Sequence, residues 1–193
     1  MVEPRGRRSS SNRAAEAYDP AQSARMVDDV DRIAAAWQAL YPGLDATPLQ
    51  VFSRISRIAR LQESLRRSVF AEQGLDGWEF DVLSALRRSG EPFELTPRDL
   101  IQETFVTSGT MTTRLNKLEV RHLVRRRRAE GDGRSVLVRL SEEGIRLADA
   151  AILALVEAEQ KLLNSLTEEQ TADMGDGLRC LLRSFAQFDA DPR

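Results

Sequence analysis

The stretch that decides the fold is residues 95–141, which read LTPRDLIQETFVTSGTMTTRLNKLEVRHLVRRRRAEGDGRSVLVRLS. Its pattern predicts two short helices, a strand, a charged turn and a second strand. The first helix is predicted to begin at Thr96 and Pro97, because a threonine side chain caps free amides and proline suits the first helical position. This helix is expected to end near Phe105.

The second predicted helix begins with Thr107 or Ser108 as its N-cap and reaches about Glu119. The spacing i, i+4, i+7 puts three apolar residues on its inner face: Met111, Leu115 and Leu118. The opposite face is small, hydroxylic and cationic, as a helix needs if it is to lie against DNA phosphates and base edges. The side chains predicted to contact DNA from this helix are Ser108, Thr110, Thr112, Thr113, Arg114 and Lys117.

After this helix, residues 123–128 and 135–140 are predicted to pair as a β-hairpin around the turn at residues 129–134. Arg134, near the tip, is predicted to enter a DNA minor groove, where narrowing deepens the negative potential. Asp132 is close enough in sequence to hold its guanidinium. Two helices followed by a basic hairpin make a winged helix-turn-helix, so the predicted fold class is mainly α with a small β-wing.

The segment resembles the MarR family of bacterial transcription regulators. The matching motifs are L-T-P-x-D-L at residues 95–100, T-S-G-x-M-T-x-R-L-x-x-L-E at 107–119, L-V-x-R at 123–126, D-x-R at 132–134 and L-S-x-x-G at 140–144. The similarity extends over roughly residues 32–188. The resemblance implies a sequence-specific DNA-binding regulator, held as a symmetric homodimer by helices from both chain ends. It also implies the same wing roles for Asp132 and Arg134.

The composition is that of a water-soluble protein of one domain, with 193 residues of which 41% are hydrophobic and 30% charged. No apolar run approaches the ~20 residues of a membrane span, and the N-terminus lacks the apolar core of a signal peptide. Cys180 is the only cysteine, so no disulfide framework is expected. These features predict a cytoplasmic protein without a cofactor.

The net charge of −2 hides a strongly basic segment. Residues 114–139 hold nine basic side chains and three acidic ones, a net charge of +6, so the rest of the chain carries −8. Phosphate affinity follows the local potential, and this segment is therefore predicted to bind DNA although the whole chain is acidic. A solvated strand edge is the plainer explanation of an arginine run, but the adjacent helix pair favours DNA binding.

The chain is predicted to consist of a tail and a single MarR-type domain of three parts. Residues 1–19, rich in arginine and serine, are predicted to be a disordered tail. Residues 20–73 are predicted to form N-terminal helices, residues 76–140 the winged helix-turn-helix, and residues 141–190 two C-terminal dimerisation helices.

The helices at the chain ends carry more apolar surface than a small winged domain needs. The first is predicted to run from Pro20 to about Leu40, and the last two have broad apolar faces. The residues concerned are Val30, Ile33, Ala34, Trp37, Ile145, Leu147, Ile152, Leu155, Val156, Leu178, Leu181, Leu182 and Phe185. We therefore predict a homodimer, which would place two recognition helices ~34–36 Å apart on a palindromic operator.

No catalytic or metal-binding set can be assembled from the sequence, so an enzyme is not expected. His122, the only histidine, follows the recognition helix, where a left-handed residue ends the helix and histidine tolerates that conformation. Cys180 stands between Leu178 and Leu181 and is predicted to be a buried structural thiol.

The N-terminal extension resembles that of the urate-responsive, PecS-like branch of the family. By position, the ligand residues proposed for that branch correspond to Trp37, Asp81, Arg114 and Arg126. An aromatic plane can cover a heterocycle, arginines can pair with an anion, and an aspartate can orient it. The alternative is that Trp37 belongs to the core and that Asp81 simply pairs with an arginine.

Two functions from different classes stay open at this point. The first is a repressor that a small anionic aromatic ligand, such as urate, releases from a double-stranded DNA operator. The second is a dimeric winged-helix adaptor that makes protein contacts without effector control. The arginine-rich strand and the hydroxyls of the recognition helix favour the first.

Overall fold

The computed structural model describes residues 27–129 and 132–190, and of Ala129, residues 132–135, Asp189 and Ala190 only the backbone. Within that part of the chain there are seven helices and three strands. The helices are α1 (Asp29–Leu40), α2 (Thr47–Glu72), α3 (Gly77–Arg88), α4 (Pro97–Thr104), α5 (Ser108–Val120), α6 (Glu142–Leu163) and α7 (Glu168–Ala190). The strands are β1 (Glu94–Leu95), β2 (Val124–Ala129) and β3 (Asp132–Leu140). The prediction of a mainly α chain with a small β-wing is confirmed.

The sheet has three antiparallel strands in the order β1-β3-β2. The hairpin of β2 and β3 was predicted, whereas β1 was not. Glu94 lies opposite Arg139 and Leu95 opposite Val138. A strand of two residues has no alternating pattern of its own, and only its pairing with β3 specifies it.

The core lies where α3, α4 and α5 meet the sheet and α6. The inward residues predicted for α5 are buried, and so are Phe80, Val82, Leu83 and Leu86 of α3. Phe80 stacks on Phe70 at the end of α2, with ring centroids 4.2 Å apart. Helix α6 begins against the sheet at Gly144, where an added Cβ would lie 2.1 Å from the carbonyl oxygen of Leu123. These elements, α3, α4, α5, the sheet and the adjoining part of α6, are called the winged unit below, and their own side chains fill its core.

Helix α1 begins later than predicted. Asp28 accepts the amide hydrogens of Val30 and Asp31, at 2.7 and 3.0 Å, and Asp31 accepts that of Asp28 in return. Val27 and Asp28 are not helical, so a single uninterrupted helix from Pro20 is wrong, because the reciprocal cap fixes a helix start at Asp29. The predicted disordered tail, residues 1–19, lies outside the described residues.

The helices at the two ends of the described chain leave apolar side chains exposed. On α1 and α7 these are Ile33, Trp37, Leu40, Met174, Leu178, Leu182, Phe185 and Phe188. Phe185 meets Phe52 of α2 edge to face, with ring centroids 6.0 Å apart. Cys180 is exposed, so the prediction of a buried thiol is wrong for the described part of the single chain, because the described residues leave this stretch of α7 uncovered, as they do Leu178 and Leu182 beside it. No helix in the described ranges is long and apolar enough to cross a bilayer.

Candidate nucleic-acid interface

Helices α4 and α5 are positioned by threonine caps. Thr96 accepts the amide hydrogen of Asp99 at 3.2 Å, and the Asp99 carboxylate accepts that of Thr96 at 3.1 Å. Phe105 takes the left-handed conformation (φ 51°) and turns the chain between the helices. Thr107, rather than Ser108, then caps α5 by accepting the amide hydrogen of Thr110 at 3.3 Å. Interactions between residues close in sequence thus fix where α4 ends and where α5 begins.

The outer face of α5 carries the side chains that were predicted to contact DNA. Ser108, Thr110, Thr112, Thr113 and Lys117 are exposed, and Arg114 is half-buried. The hydroxyls of Thr112 and Thr113 donate to the carbonyl oxygens of Ser108 and Gly109, at 3.0 and 3.1 Å. Their protons are engaged within the helix, so their oxygens are left to accept hydrogen bonds, for example from the amino groups of adenine or cytosine.

The end of α5 is held by two neighbouring elements. His122 has φ 58°, so the predicted left-handed role is confirmed. Arg121, the C-cap of α5, donates to the Glu79 carboxylate at 2.5 Å and to the carbonyl oxygen of Gly74 at 2.9 Å. Glu79 is only 3% exposed and also accepts the amide hydrogen of Asp76 at 2.9 Å. The Asp76-x-x-Glu79 spacing is that of a capping box, which the sequence shows directly. The contact of Glu79 with Arg121 was not predicted.

Trp78, in the first turn of α3, lies against two cations of α5. The Arg114 Cζ is 5.6 Å and the Lys117 Nζ 5.8 Å from its ring centroid. An open groove of about 420 Å³ on one side is lined by Trp78, Gly109, Thr110, Thr113, Arg114 and Lys117. A second groove of about 680 Å³ is lined in part by Trp78, Glu79, Asn116, Lys117 and Arg121. The sequence pattern gave no sign of either groove.

The basic segment is partly neutralised inside the chain. Arg121 pairs with Glu79, Arg126 with Glu119 at 3.4 Å, and both Arg127 and Arg139 with Glu94, at 2.6 and 3.6 Å. The side chain of Glu94 is 6% exposed, and the Arg127 guanidinium holds its pKa below the usual range, with Arg139 acting in the same sense. Among the described residues, no carboxylate lies within ion-pair distance of Arg114, Lys117, Arg125 or Arg128.

Comparison with known proteins identifies the family to which this architecture belongs. Residues 73–135 match the MarR family. The HTH-type transcriptional regulator PecS of Dickeya dadantii is 34% identical over 142 residues, which cover 74% of this chain and 86% of PecS. The chain belongs to the MarR family.

Further relatives and solved MarR-family structures agree in fold. The HTH-type transcriptional repressor NicR of Pseudomonas putida is 30% identical over 127 residues, covering 64% of this chain and 78% of NicR. AbsC of Streptomyces coelicolor superposes with a TM-score of 0.65 at 19% identity, covering 75% and 97% of the two chains. A MarR variant of E. coli, solved in complex with operator DNA, gives 0.60 at 22% identity, covering 71% and 96%.

Near the tip of the wing of this MarR-family chain, the structure describes only the backbone. Strand β3 begins at Asp132, and residues 130 and 131, between the two strands, lie outside the described ranges. The side chains of Asp132 and Arg134 also lie outside them, so their DNA-contacting role remains a prediction.

The four residues that were predicted to bind an effector are only partly brought together. Asp81 accepts a hydrogen bond from Arg66 at 3.2 Å; burial raises the pKa of its carboxyl, while Arg66 and Arg114 lower it. Arg126 donates to Asn116 at 2.7 Å, besides pairing with Glu119. Trp37 stacks on Tyr41, with centroids 5.9 Å apart, and none of the contacts found among the described residues joins it to the other three. Asp81 and Arg114 thus form the only electrostatically linked pair of this set within the described chain.

Proposed function

We propose that this protein is a sequence-specific, DNA-binding transcriptional repressor that a small anionic aromatic ligand releases from a palindromic operator. One observation carries the DNA-binding part. The outer face of α5 presents hydroxyls and two cations, Arg114 and Lys117, with which no described carboxylate forms an ion pair. A helix face of this kind can hold phosphates and still read base edges. The names of PecS and NicR support the regulatory role.

The operator-binding unit is a homodimer in this proposal. The exposed apolar side chains of α1 and α7 form patches of the kind that mark protein interfaces. A two-fold axis through these helices would present two copies of α5 to successive turns of the major groove, ~34–36 Å apart. The operator is therefore expected to be a pseudopalindrome.

Salt dependence tests the DNA-binding proposal directly. A duplex is first selected by the purified protein from a randomised library, and its affinity is then measured by fluorescence anisotropy between ~50 and ~200 mM salt. The logarithm of the affinity is expected to fall linearly with the logarithm of the salt concentration, with a slope of about −0.9 for each phosphate neutralised. If no duplex is enriched, or if the affinity of an enriched duplex does not change with salt, the DNA-binding proposal is wrong and the adaptor function is favoured.

The effector part of the proposal rests on Arg114. This side chain borders the DNA-reading face and also lowers the pKa of Asp81, so an anion that recruits Arg114 would compete with DNA for the same charge. A 10–100-fold loss of operator affinity corresponds to a coupling free energy of ~1.4–2.7 kcal/mol. Loss of one charge-assisted hydrogen bond from Arg126 costs ~1.5–3 kcal/mol, which is enough to abolish that response.

Urate is the probe for this second part. It is titrated into the operator complexes of the wild type, Arg126→Ala and the neighbouring Arg125→Ala. Wild type and Arg125→Ala are expected to release DNA at the same urate concentration, and Arg126→Ala at a concentration at least about tenfold higher. Equal release by all three proteins would show that the assigned site is wrong. If urate does not release DNA from the wild-type protein, urate is the wrong ligand.

A further inference from the structure

Trp78 occupies a fixed position beside the DNA-facing side of α5. It lies in the first turn of α3, half-buried and packed against the core of the winged unit. Its indole N–H donates to the carboxylate of Asp76, the N-cap of that helix, at 3.1 Å. Packing on one side and a hydrogen bond on the other hold the ring in place. A rigid aromatic face is therefore available to α5.

The two cations that this ring contacts differ from the basic neighbours that are paired with acids, whereas Arg125 and Arg128 resemble them in lacking a described carboxylate within ion-pair distance. Arg114 and Lys117 lie 5.6 and 5.8 Å from the Trp78 centroid, and neither forms an ion pair with a described carboxylate. By contrast, Arg121 and Arg126 lie within ion-pair distance of Glu79 and Glu119. The chain thus holds some of its basic side chains with acids and these two with an aromatic ring.

A carboxylate and an aromatic ring affect the charge of a bound cation differently. A carboxylate cancels the charge of the cation that it holds, which reduces the potential available to a phosphate. The face of an indole ring attracts a cation through its quadrupole but carries no net charge. A cation held by tryptophan is therefore oriented without being neutralised.

The groove beside Trp78 has the lining that an anion requires. Its volume is about 420 Å³, and it is bounded by both cations, the threonines of the first turns of α5 and Gly109. The cations supply charge, and a small residue at position 109 leaves the backbone accessible, since no atom lies within 4 Å of where its Cβ would be. A phosphate diester of a DNA strand that passes along α5 fits this combination of groups.

We propose that Trp78 is a positioning residue for DNA binding, which orients Arg114 and Lys117, neither of them in an ion pair with a described carboxylate, around one backbone phosphate in this groove. The inference rests on the proposed DNA-binding function. It adds a residue of α3, outside α4, α5 and the β2–β3 hairpin, and it predicts that operator affinity depends on the electron density of an aromatic ring.

A double-mutant cycle tests the coupling. Trp78→Leu is expected to weaken operator binding about five- to tenfold at fixed salt, and Trp78→Phe, which keeps an aromatic face, by no more than about twofold. In a Lys117→Gln background the loss caused by Trp78→Leu should shrink to less than about half. In an Arg139→Gln background, where the altered cation is partnered by Glu94, it should keep its full size. Equal losses in both backgrounds would show a purely structural role and overturn the proposal.

Fluorinated tryptophan supplies a second measurement that does not depend on the folding of Trp78→Leu. Fluorine withdraws electron density from the ring while its shape is nearly kept, so operator affinity should fall as the number of fluorines rises. The chain has two tryptophans, and labelled Trp78→Phe protein, in which only Trp37 carries fluorine, is the control and should be unaffected. Unchanged affinity of the fully labelled wild type overturns the proposal. Failure of the unlabelled wild type to bind any selected duplex would instead refute the DNA-binding function itself.

Discussion

The winged unit and the terminal helices handle their apolar residues in opposite ways. In the winged unit, Leu83, Leu100, Met111 and Leu118 are completely or almost completely buried within the single chain. Most of the large apolar side chains of α1 and α7 are exposed, and Leu182 of α7 is 70% exposed. The first region has a complete core, whereas the second has an apolar surface that no other described residue covers, of the kind that marks protein interfaces. In the proposed dimer, the first region supplies its own core and the second supplies the interface.

The largest expected effect comes from a charge placed on the exposed apolar surface of α7. Leu182→Asp should weaken the dimer at least about 100-fold, because a buried, unpaired carboxylate is strongly unfavourable. Val120→Asp is the matched control, since Val120 is 80% exposed on the winged unit and should leave the dimer intact. Analytical ultracentrifugation measures both. A Leu182→Asp protein that remains dimeric at nanomolar concentration would place the interface elsewhere.

The next effect tests the closed core of the winged unit. Gly144→Ala should lower the free energy of unfolding by about 3 kcal/mol, because the new Cβ would meet the backbone oxygen of Leu123 at 2.1 Å and cannot be accommodated by a side-chain movement. Gly109→Ala, also in a helix but with open space around its Cβ, should be neutral or stabilising by up to ~1 kcal/mol. Urea unfolding compares the two. Equal stabilities would mean that α6 and the sheet are packed less closely than described.

A wing substitution should separate function from assembly. Arg134→Ala is expected to weaken operator binding about tenfold, or ~1.4 kcal/mol, while the dimer and the melting temperature stay unchanged, because a hairpin tip contributes little to a core. Arg139→Ala, which removes a cation already paired with Glu94, should change affinity less than about twofold. Gel-shift titration beside circular dichroism measures both changes. An unaltered affinity of Arg134→Ala would remove the wing from DNA recognition.

The smallest effect concerns pH and the tie between α1 and α2. The Arg54 guanidinium, together with the backbone amides of Asp31 and Val30, lowers the pKa of Asp28 from 3.8 to about 2. The folded state therefore gains stability from this carboxylate above pH ~4, and that gain is lost as the pH falls from about 4 towards 2. Asp28→Asn should lack this part of the acid sensitivity, as calorimetry between pH 5 and 2 would measure. Identical acid profiles would contradict the assignment.

Asp81 provides the contrasting case beside the winged core. Burial raises its pKa, so its ionisation opposes folding, and this contribution to stability falls as the pH rises from the unfolded pKa through the folded one. The stability of Asp81→Asn, measured relative to the wild type, should therefore be higher at neutral pH than at pH 3. For Asp28→Asn the same difference should change in the opposite direction. The same calorimetric series measures both slopes.

Much of the fold could be predicted because the signals that set it are local. The caps at Asp76, Thr96 and Ser141, and the left-handed end at His122, depend on residues within three or four positions. The start of α1 was misplaced because the reciprocal Asp28–Asp31 cap sets it at Asp29, nine residues after the proline at which it was predicted. Strand β1 was missed because two residues carry no periodicity.

The candidate site was predictable as a set of side chains but not as an electrostatic surface. Periodicity placed the threonines, Arg114 and Lys117 on the outer face of α5, and the structure has them there. The ring of Trp78 and the carboxylate of Glu79 reach that helix from α3, and no sequence period links them to it. Trp37 was predicted to share a site with Asp81, but the stack that the described chain shows for it is with Tyr41.

The sequence by itself determined the order of the helices, the β2–β3 hairpin, the winged arrangement and the presence of a basic segment, since these follow from periodicity, caps and composition. Only the tertiary structure decided which cations keep their charge available. Arg121 and Arg127 are neutralised by Glu79 and Glu94, acids that stand 42 and 33 positions away in the chain. The physical reason is that charges interact according to their separation in space and the polarity between them, and folding brings distant positions within hydrogen-bond reach.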